Sequence, residues 1–341
     1  MVSRTFDVAV VGATGLVGET LLNILEQRQF PVGNLYPLAS ARSAGKTLRF
    51  NGKSVRVQDL AEFDFSTAEV GLFSAGGSIS AEFAPKAAEA GCVVVDNTSH
   101  FRNDDDIPLV ITEVNPEDIG LYKSRGIIAN PNCSTMQMLV AIKPLHDAAR
   151  VKHIQVATYQ SVSGAGKSGT EMLARQTALL LNGKPLDLAP DEPRIAFNAW
   201  PHIDRFQDNG YTREEMKMVW ESQKILHDPD ILVNPTAVRI PVFFGHSEAV
   251  TIETERDLSV EEATSLLSEA PGVSVMDSHE FGGYPTPALE GADTDPVFVG
   301  RIRRDISRPR SLNFWVVADN VRKGAALNTV QIAEILVKHH L

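Results

Sequence analysis

The chain has 341 residues, enough for two domains, with 43% hydrophobic and 22% charged residues and a formal net charge of −11. That balance excludes a general nucleic-acid binder, which needs a basic surface to displace counterions from phosphate. It leaves room for a local cationic pocket that takes an anionic small molecule.

Only two cysteines occur, Cys92 and Cys133, so a disulfide framework is excluded and a reducing compartment fits. Residues 1–7 hold neither an apolar signal core nor an Arg-rich transit segment. No stretch approaches the roughly 20 apolar residues of a membrane span. A cytoplasmic protein with no membrane and no nucleic-acid partner is expected.

Residues 6–12 (FDVAVVG) form a short apolar run ending in glycine, which predicts a buried parallel strand. Leu16, Leu21, Leu22 and Leu25 fall at helical spacing over residues 16–28. Further strands are predicted at 33–40, 69–74, 92–96 and 126–130, with an Ala-rich helix near 80–90. This βα rhythm predicts a doubly wound, Rossmann-like domain. Cys92, inside one of these apolar runs, reads as a small packing residue.

After about residue 150 the rhythm changes. Residues 151–162, 236–244, 248–255 and 310–319 are strand-like with polar–apolar alternation. They predict an α+β domain with a mainly antiparallel sheet, one face of it covered by helices near 168–182, 213–226 and 259–268. Residues 324–340 predict a last helix that returns to the first domain. The expected division is 1–132 with 322–341 for a dinucleotide-binding domain and 133–321 for a second domain, whose catalytic and dimerisation role is implied only by the family resemblance given below.

The turn Gly12-Ala13-Thr14-Gly15-Leu16-Val17-Gly18 lies between the first strand and the first helix. Its glycines permit a tight turn and close approach of backbone to a pyrophosphate, and the helix start offers free N–H groups. Where an NAD site places an acid after the second strand, this chain has Ser40-Ala41-Arg42-Ser43. That cluster suits a 2′-phosphate and points to NADP, unless Arg42 is only a solvated loop charge.

Asn130-Pro131-Asn132-Cys133-Ser134-Thr135 separates an apolar strand from a predicted helix over 136–147. A cysteine at a helix start gains thiolate character and has N–H groups nearby to hold an oxyanion. On residues alone, Cys133 reads equally as a nucleophile or as a small capping-region residue. Glu214 and Lys217, three apart, read as a surface ion pair. His246 alone, one of nine histidines, reads as structural. His246 and Glu248 share a strand face with no third ligand spaced to join them, so no metal site is expected.

Taken together, the segments 12–18, Ser-Ala-Gly-Gly-Ser (74–78), Val-Asp-Asn-Thr-Ser (95–99), 130–135, Tyr-Gln-Ser-Val-Ser-Gly-Ala-Gly (159–166), 239–247 and 319–328 change that reading. Their order from end to end resembles the aspartate-semialdehyde dehydrogenase family. The resemblance implies NADPH-dependent reductive dephosphorylation of aspartyl 4-phosphate to aspartate 4-semialdehyde. It implies a place in lysine/diaminopimelate, methionine and threonine biosynthesis, and a homodimer.

It also implies roles. Cys133 matches the nucleophile, His246 the acid/base, and Gln160 a residue that orients the acyl group or the thiol. Arg239 matches the clamp for the α-carboxylate, Glu214 the partner of the α-ammonium, and Arg102, Asn132 and Lys217 the phosphate pocket. The cofactor set is Gly12, Thr14, Gly15, Leu16, Val17, Gly18, Ser40, Arg42, Ser43, Ser74, Gly76, Ser163 and Gly164, with Asn320 and Asn328 toward the nicotinamide. His100 departs from the small residue common at that place. A sister reductase acting on N-acetyl-glutamyl phosphate and a silent paralogue are the rival readings. The presence of Cys133, Gln160, Glu214, Arg239 and His246 together disfavours both.

Overall fold

The computed structural model describes residues 4–341. The N-terminal reading above therefore falls partly on residues 1–3, which lie outside the described residues. The chain forms two compact units, one of the residues up to Pro131 together with Ala325–Leu341, the other Asn132–Gly324.

The first unit is built on a six-stranded sheet whose paired strands are all parallel. Its strands are β1 (Phe6–Val11), β2 (Val32–Ala39), β5 (Gln58–Asp59), β6 (Val70–Phe73), β7 (Val93–Asp96) and β8 (Ile127–Ala129), in the order β5-β2-β1-β6-β7-β8. Strands covered on both faces carry no polar alternation, as the fully buried Val70–Phe73 and Val93–Asp96 illustrate. A hairpin of β3 (Thr47–Phe50) and β4 (Lys53–Arg56), not foreseen from sequence, stands outside this sheet. Helix α1 (Leu16–Gln27) turns Leu21, Leu22, Ile24 and Leu25 into the core, joined there by Val330, Ala333 and Leu336 of α7 (Asn328–His339). Helix α2 (Gly77–Glu89) follows β6.

The second unit carries a mixed six-stranded sheet in the order β10-β9-β11-β14-β13-β12. These are β9 (Val151–Gln160), β10 (Leu232–Arg239), β11 (His246–Thr254), β12 (Val273–Val275), β13 (Val297–Arg304) and β14 (Ser311–Ala318). The three central pairings are antiparallel, while the outer pairs β10/β9 and β12/β13 are parallel. Helix α3 (Cys133–Ala149) lies across β9, β11, β13 and β14. Helices α4 (Gly166–Leu181), α5 (Arg213–Ile225) and α6 (Val260–Glu269) complete the unit, with α5 on β10 and α6 on β12 and β13. The alternate residues of β9, Gln155 and Tyr159, face away from the core and are exposed.

Two boundaries differ from expectation. The strand placed over 236–244 runs instead over Leu232–Arg239, because the chain after Ile240 turns away and Val162 and Ser163 donate to the carbonyls of Val242 and Phe243. The last helix does not begin at Gly324 as a plain α-helix. Arg322–Leu327 is wound as π-helix, and α7 starts at Asn328. Such single-turn insertions recur at functional sites.

Candidate functional site

Helix α3 places Cys133 at its first position. Asn132 is the cap, with extended backbone (φ −61°, ψ 143°), and its Oδ1 accepts from the N–H groups of Ser134 at 3.0 Å and Thr135 at 3.3 Å. Asn132 is itself gripped from α5. Its backbone N–H donates to Glu221 Oε2 at 2.7 Å and its Nδ2 donates to Glu214 Oε1 at 2.9 Å. The start of α5 is fixed by Thr212 and Glu215, which bond each other's backbone N–H in a reciprocal cap. Glu214 and Glu221, seven apart, therefore share the inward face of α5.

Glu214 is the hub. Its Oε1 also accepts from Gln160 Nε2 at 3.0 Å, and its Oε2 accepts from Lys217 Nζ at 2.8 Å. Burial pushes its pKa up, but the Lys217 ammonium and the bonds from Lys217, Gln160 and Asn132 outweigh burial and hold it at about 2. Gln160 Nε2 also donates to Ser134 Oγ at 2.5 Å, while its buried Oε1 has no partner and is open to a donor.

Arg239, at the end of β10, donates from Nη1 to the Ser161 carbonyl at 2.6 Å. Burial lowers its pKa, and the charges of Glu214 and Cys133 act to raise it. The guanidinium is thus within electrostatic reach of both. Gly164 lies against this group. A Cβ there would stand 2.9 Å from Arg239 Nη1 and 3.4 Å from His246 Nε2.

His246 is fully buried, and its pKa is lowered to about 3 by burial first and the Arg239 charge second. Nδ1 lies 3.1 Å from both the Ser161 N–H and the Ser161 Oγ. The N–H can only donate, so with that bond made Nδ1 accepts and the neutral ring carries its proton on Nε2; only the hydroxyl could accept from an Nδ1–H. Nε2 has no protein partner. Asn320 braces this corner: its Oδ1 accepts from Ser161 Oγ at 2.9 Å, Ser163 Oγ at 3.1 Å and Gly245 N–H at 3.0 Å.

The second unit thus brings together Asn132, Cys133, Gln160, Ser163, Gly164, Glu214, Lys217, Arg239, His246 and Asn320. Lys217 is held by Glu214 and by Asp204 Oδ2 at 3.0 Å, so it is a buttress as well as a cation. Sequence reasoning missed Ser134, Ser161, Glu221 and Gly324. A Cβ on Gly324 would lie 2.6 Å from the Cys133 Cβ, so the π-helical turn packs directly on Cys133. Glu221 had a legible signal: it repeats the helical phase of Glu214.

In the first unit the glycine turn joins β1 to α1. Gly12 (φ +87°) and Ala13 donate to the Leu38 carbonyl at 2.9 and 3.1 Å, tying the turn to the end of β2. A Cβ on Gly18 would meet the Gly12 carbonyl oxygen at 2.2 Å, so only glycine lets helix and turn approach. No side chain caps the starts of α1 or α2, at Gly15 and Gly76. Both N-termini therefore offer N–H groups to a pyrophosphate at the ends of adjacent strands β1 and β6. Thr14, Leu16 and Val17 are half-buried in this turn, and Ser74 Oγ donates to the Val11 carbonyl at 3.2 Å. Ser40 opens the turn after β2, accepting from Ser43 N–H at 2.8 Å, with Arg42 exposed at its tip. These residues fit a dinucleotide.

Arg102 is buried, and its Nη2 donates to the Asn97 carbonyl at 3.1 Å, while the neighbouring His100 is exposed. Asn328 is fully buried with its amide engaged throughout. Nδ2 donates to Val110 O at 2.9 Å and Asn130 Oδ1 at 2.6 Å, and Oδ1 accepts from Thr112 N–H at 3.1 Å. Among the described residues no helix is long and apolar enough to cross a membrane.

A capped cysteine within electrostatic reach of a guanidinium, which in turn lies by a neutral imidazole, joined in one chain to a dinucleotide-type sheet, defines an oxidoreductase of the semialdehyde dehydrogenase class. Residues 7–122 match the semialdehyde dehydrogenase NAD binding domain and residues 142–323 the semialdehyde dehydrogenase dimerisation domain. The chain belongs to the aspartate-semialdehyde dehydrogenase family. It is 59% identical over 339 residues to the aspartate-semialdehyde dehydrogenase of Legionella pneumophila, covering 99% of this chain and 98% of that one. The solved structure of aspartate semialdehyde dehydrogenase II from Vibrio cholerae, complexed with ASA, is 57% identical and superposes with a TM-score of 0.97 over 99% of this chain and 100% of that one. A more distant likeness is the Candida albicans enzyme with NADP, 25% identical, TM-score 0.77, covering 98% of this chain and 99% of that one.

Proposed function

We propose that this chain catalyses the NADPH-dependent reductive dephosphorylation of L-aspartyl 4-phosphate to L-aspartate 4-semialdehyde. The observation that carries the reading is the bonded set Cys133–Asn132–Glu214–Gln160, with Arg239 and His246 at the same end of the sheet. Such a set offers a nucleophile, an anionic partner for an ammonium and a planar cation for a carboxylate.

His246 takes the Cys133 proton at Nε2 from the tautomer protonated at Nδ1, in which Nδ1 gives up the Ser161 N–H and donates to Ser161 Oγ. An α-carboxylate seated on Arg239 cancels the repulsion that helps hold the imidazole neutral, which raises its basicity when substrate is present. The Cys133 sulfur attacks the acyl carbonyl and the carbon–oxygen bond to phosphate breaks. The departing phosphate takes the proton from His246, and a thioester remains on Cys133. Gln160, whose Nε2 is held by Ser134 and Glu214 and whose Oε1 is open to a donor, orients the acyl group or the attacking thiol.

The nicotinamide, when bound, supplies a hydride to the thioester carbon. Cys133 holds the resulting anionic thiohemiacetal until the carbonyl reforms and the carbon–sulfur bond breaks; the expelled thiolate takes up a proton from solvent, which restores the starting thiol. Gly12, Thr14, Gly15, Leu16, Val17, Gly18, Ser74 and Gly76 would hold the pyrophosphate end of the cofactor. Ser40, Arg42 and Ser43 would hold its 2′-phosphate, and Ser163, Gly164 and Asn320 would face the nicotinamide. Asn328, whose amide is fully committed, acts on the cofactor side through the backbone it braces. Arg102 and Lys217, with Asn132, are assigned to the phosphate. The open face of the second sheet, with Tyr159 and Trp315, supports a homodimer, as the match to a dimerisation domain suggests. The proposed activity belongs to the cytoplasmic route to lysine/diaminopimelate, methionine and threonine.

The test is NADPH formation from aspartate semialdehyde, NADP and inorganic phosphate by the purified, reduced protein. Phosphate-dependent turnover is expected, with NAD a poor substitute. Turnover without phosphate, or none with it, overturns the reading.

A further inference from the structure

Behind the site lies a buried acid that the reaction does not use. Glu248 is fully buried, and neither carboxyl oxygen has a hydrogen-bond partner. Burial raises its pKa well above the usual carboxylate range, and the one group that acts to lower it is the carboxamide of Gln137. Gln137 is also buried, and neither its oxygen nor its nitrogen has a well-formed hydrogen bond. The register sets Glu248 opposite Thr158 on β9 and Val316 on β14. The Thr158 hydroxyl is likewise without a partner. No cation on β9, β11 or β14 pairs with the carboxyl among the described residues.

Position gives this cluster its meaning. Gln137 follows Cys133 by four residues on α3, so the two lie on one face a turn apart. Glu248 follows His246 by two residues on β11, so these share a face one pleat apart. The neighbours Gln137 and Glu248 therefore repeat, one step deeper, the relation of the helix bearing Cys133 to the strand bearing His246. Left unpaired, such groups are costly to bury. A carboxylic acid and a carboxamide are complementary, each with one donor and one acceptor on adjacent atoms.

We propose that the Glu248 carboxyl donates its O–H to Gln137 Oε1 and accepts from Gln137 Nε2. The pair then acts as two positioning residues that lock α3 onto β11. Neither touches substrate. They act through the register of the elements that carry Cys133 and His246. The kinetic part rests on the proposed function, whereas the pairing itself does not.

The test uses the whole enzyme and the variants E248Q, E248L, Q137L and E248L/Q137L. In infrared difference spectra at neutral pH, wild type minus E248Q is expected to show the carbonyl stretch of an un-ionised carboxylic acid. A carboxylate band in its place overturns the proposal. In kinetics, E248Q, which keeps a donor and an acceptor, stays near the wild-type kcat. E248L and Q137L each lower kcat by roughly tenfold with little change in KM for aspartate semialdehyde, and the double variant is no slower than either single. Additive losses, or an E248Q as slow as E248L, overturn it. Should E248L not fold, the infrared spectrum and the E248Q and Q137L kinetics still decide. A wild-type protein inactive on aspartate semialdehyde sinks the proposed function and leaves the infrared result to judge the pairing.

Discussion

The carboxamide of Asn132 donates to the Glu214 carboxylate at 2.9 Å while its own oxygen caps the helix that begins with Cys133. One side chain thus couples the proposed ammonium partner to the orientation of the nucleophile. Asn132→Ala removes both links but leaves the backbone bond to Glu221. A lost cap costs about 1 kcal/mol. The variant is expected to unfold at lower urea, and kcat is expected to fall by more than tenfold, since 1.4 kcal/mol of lost orientation is about that factor. Chemical denaturation and steady-state kinetics on the same preparation check both; an unchanged kcat separates the cap from catalysis.

Glu214 is held at a pKa of about 2 against an ordinary 4.5. A depressed carboxylate contributes stability above the unfolded value, and that contribution is lost as pH falls from about 4.5 towards 2. The ionised form is worth up to about 3 kcal/mol at neutral pH. Glu214→Gln is expected to lower stability at pH 7 by about 1–3 kcal/mol and to flatten the acid limb of the stability curve. It also raises the KM for aspartate semialdehyde. Denaturant melts at several pH values read the first two effects; parallel curves for variant and wild type would refute the assignment.

His246 makes the opposite kind of pH statement. Its charged form is disfavoured by burial and by Arg239, which brings the pKa to about 3 from 6.5. Between these values the unfolded chain binds the extra proton, so stability falls as pH drops through that window. In the free enzyme the His246 Cε1 proton resonance is expected to stay flat from about pH 8 to about pH 5. With a carboxylate seated on Arg239 its midpoint moves up. A free-enzyme midpoint near the ordinary value would remove Arg239 and burial as the controlling causes.

Much of the fold was legible because periodicity tracks burial. The apolar runs of β1, β6 and β7 and the leucines of α1 mark elements whose faces are covered. The hairpin of β3 and β4 escaped because its residues are mostly exposed and polar, so no apolar alternation announces it. Strand β13 was hidden by Gly300 and by its Arg-rich end. The site was legible as motifs, but its wiring was not. Nothing in the spacing of Asn132, Gln160 and Glu214 reveals that they share one carboxylate, because those bonds join residues up to 82 apart. The π-helical turn at Arg322–Leu327 packs on Cys133 through Gly324, a contact that a helical pattern in the sequence cannot express.

In the proposed function Arg42 carries the choice of NADP over NAD. It is exposed at the tip of the turn after β2, and no acid stands at that place to favour a free 2′-hydroxyl. Arg42→Ala is expected to raise the KM for NADP by about tenfold or more, since a charge-assisted bond to phosphate is worth about 1.5–3 kcal/mol. The KM for NAD should hardly move. Equal changes for both cofactors would place Arg42 outside the 2′-phosphate site.

Gly324 offers the most direct probe of how Cys133 is seated. A Cβ added there would lie 2.6 Å from the Cys133 Cβ and 3.2 Å from its Cα, closer than such atoms approach. Neither neighbour is the far end of a flexible side chain, so the helix start or the π-helical turn has to move. Overpacking of this kind costs about 1–3 kcal/mol. Gly324→Ala is therefore expected to lower the melting temperature and to slow both turnover and alkylation of Cys133 by iodoacetamide, with binding of NADP little changed. The alkylation rate is the discriminating readout, because a general loss of stability would expose the thiol and speed it. A faster reaction in the variant would show that the turn merely covers Cys133 and does not set its position.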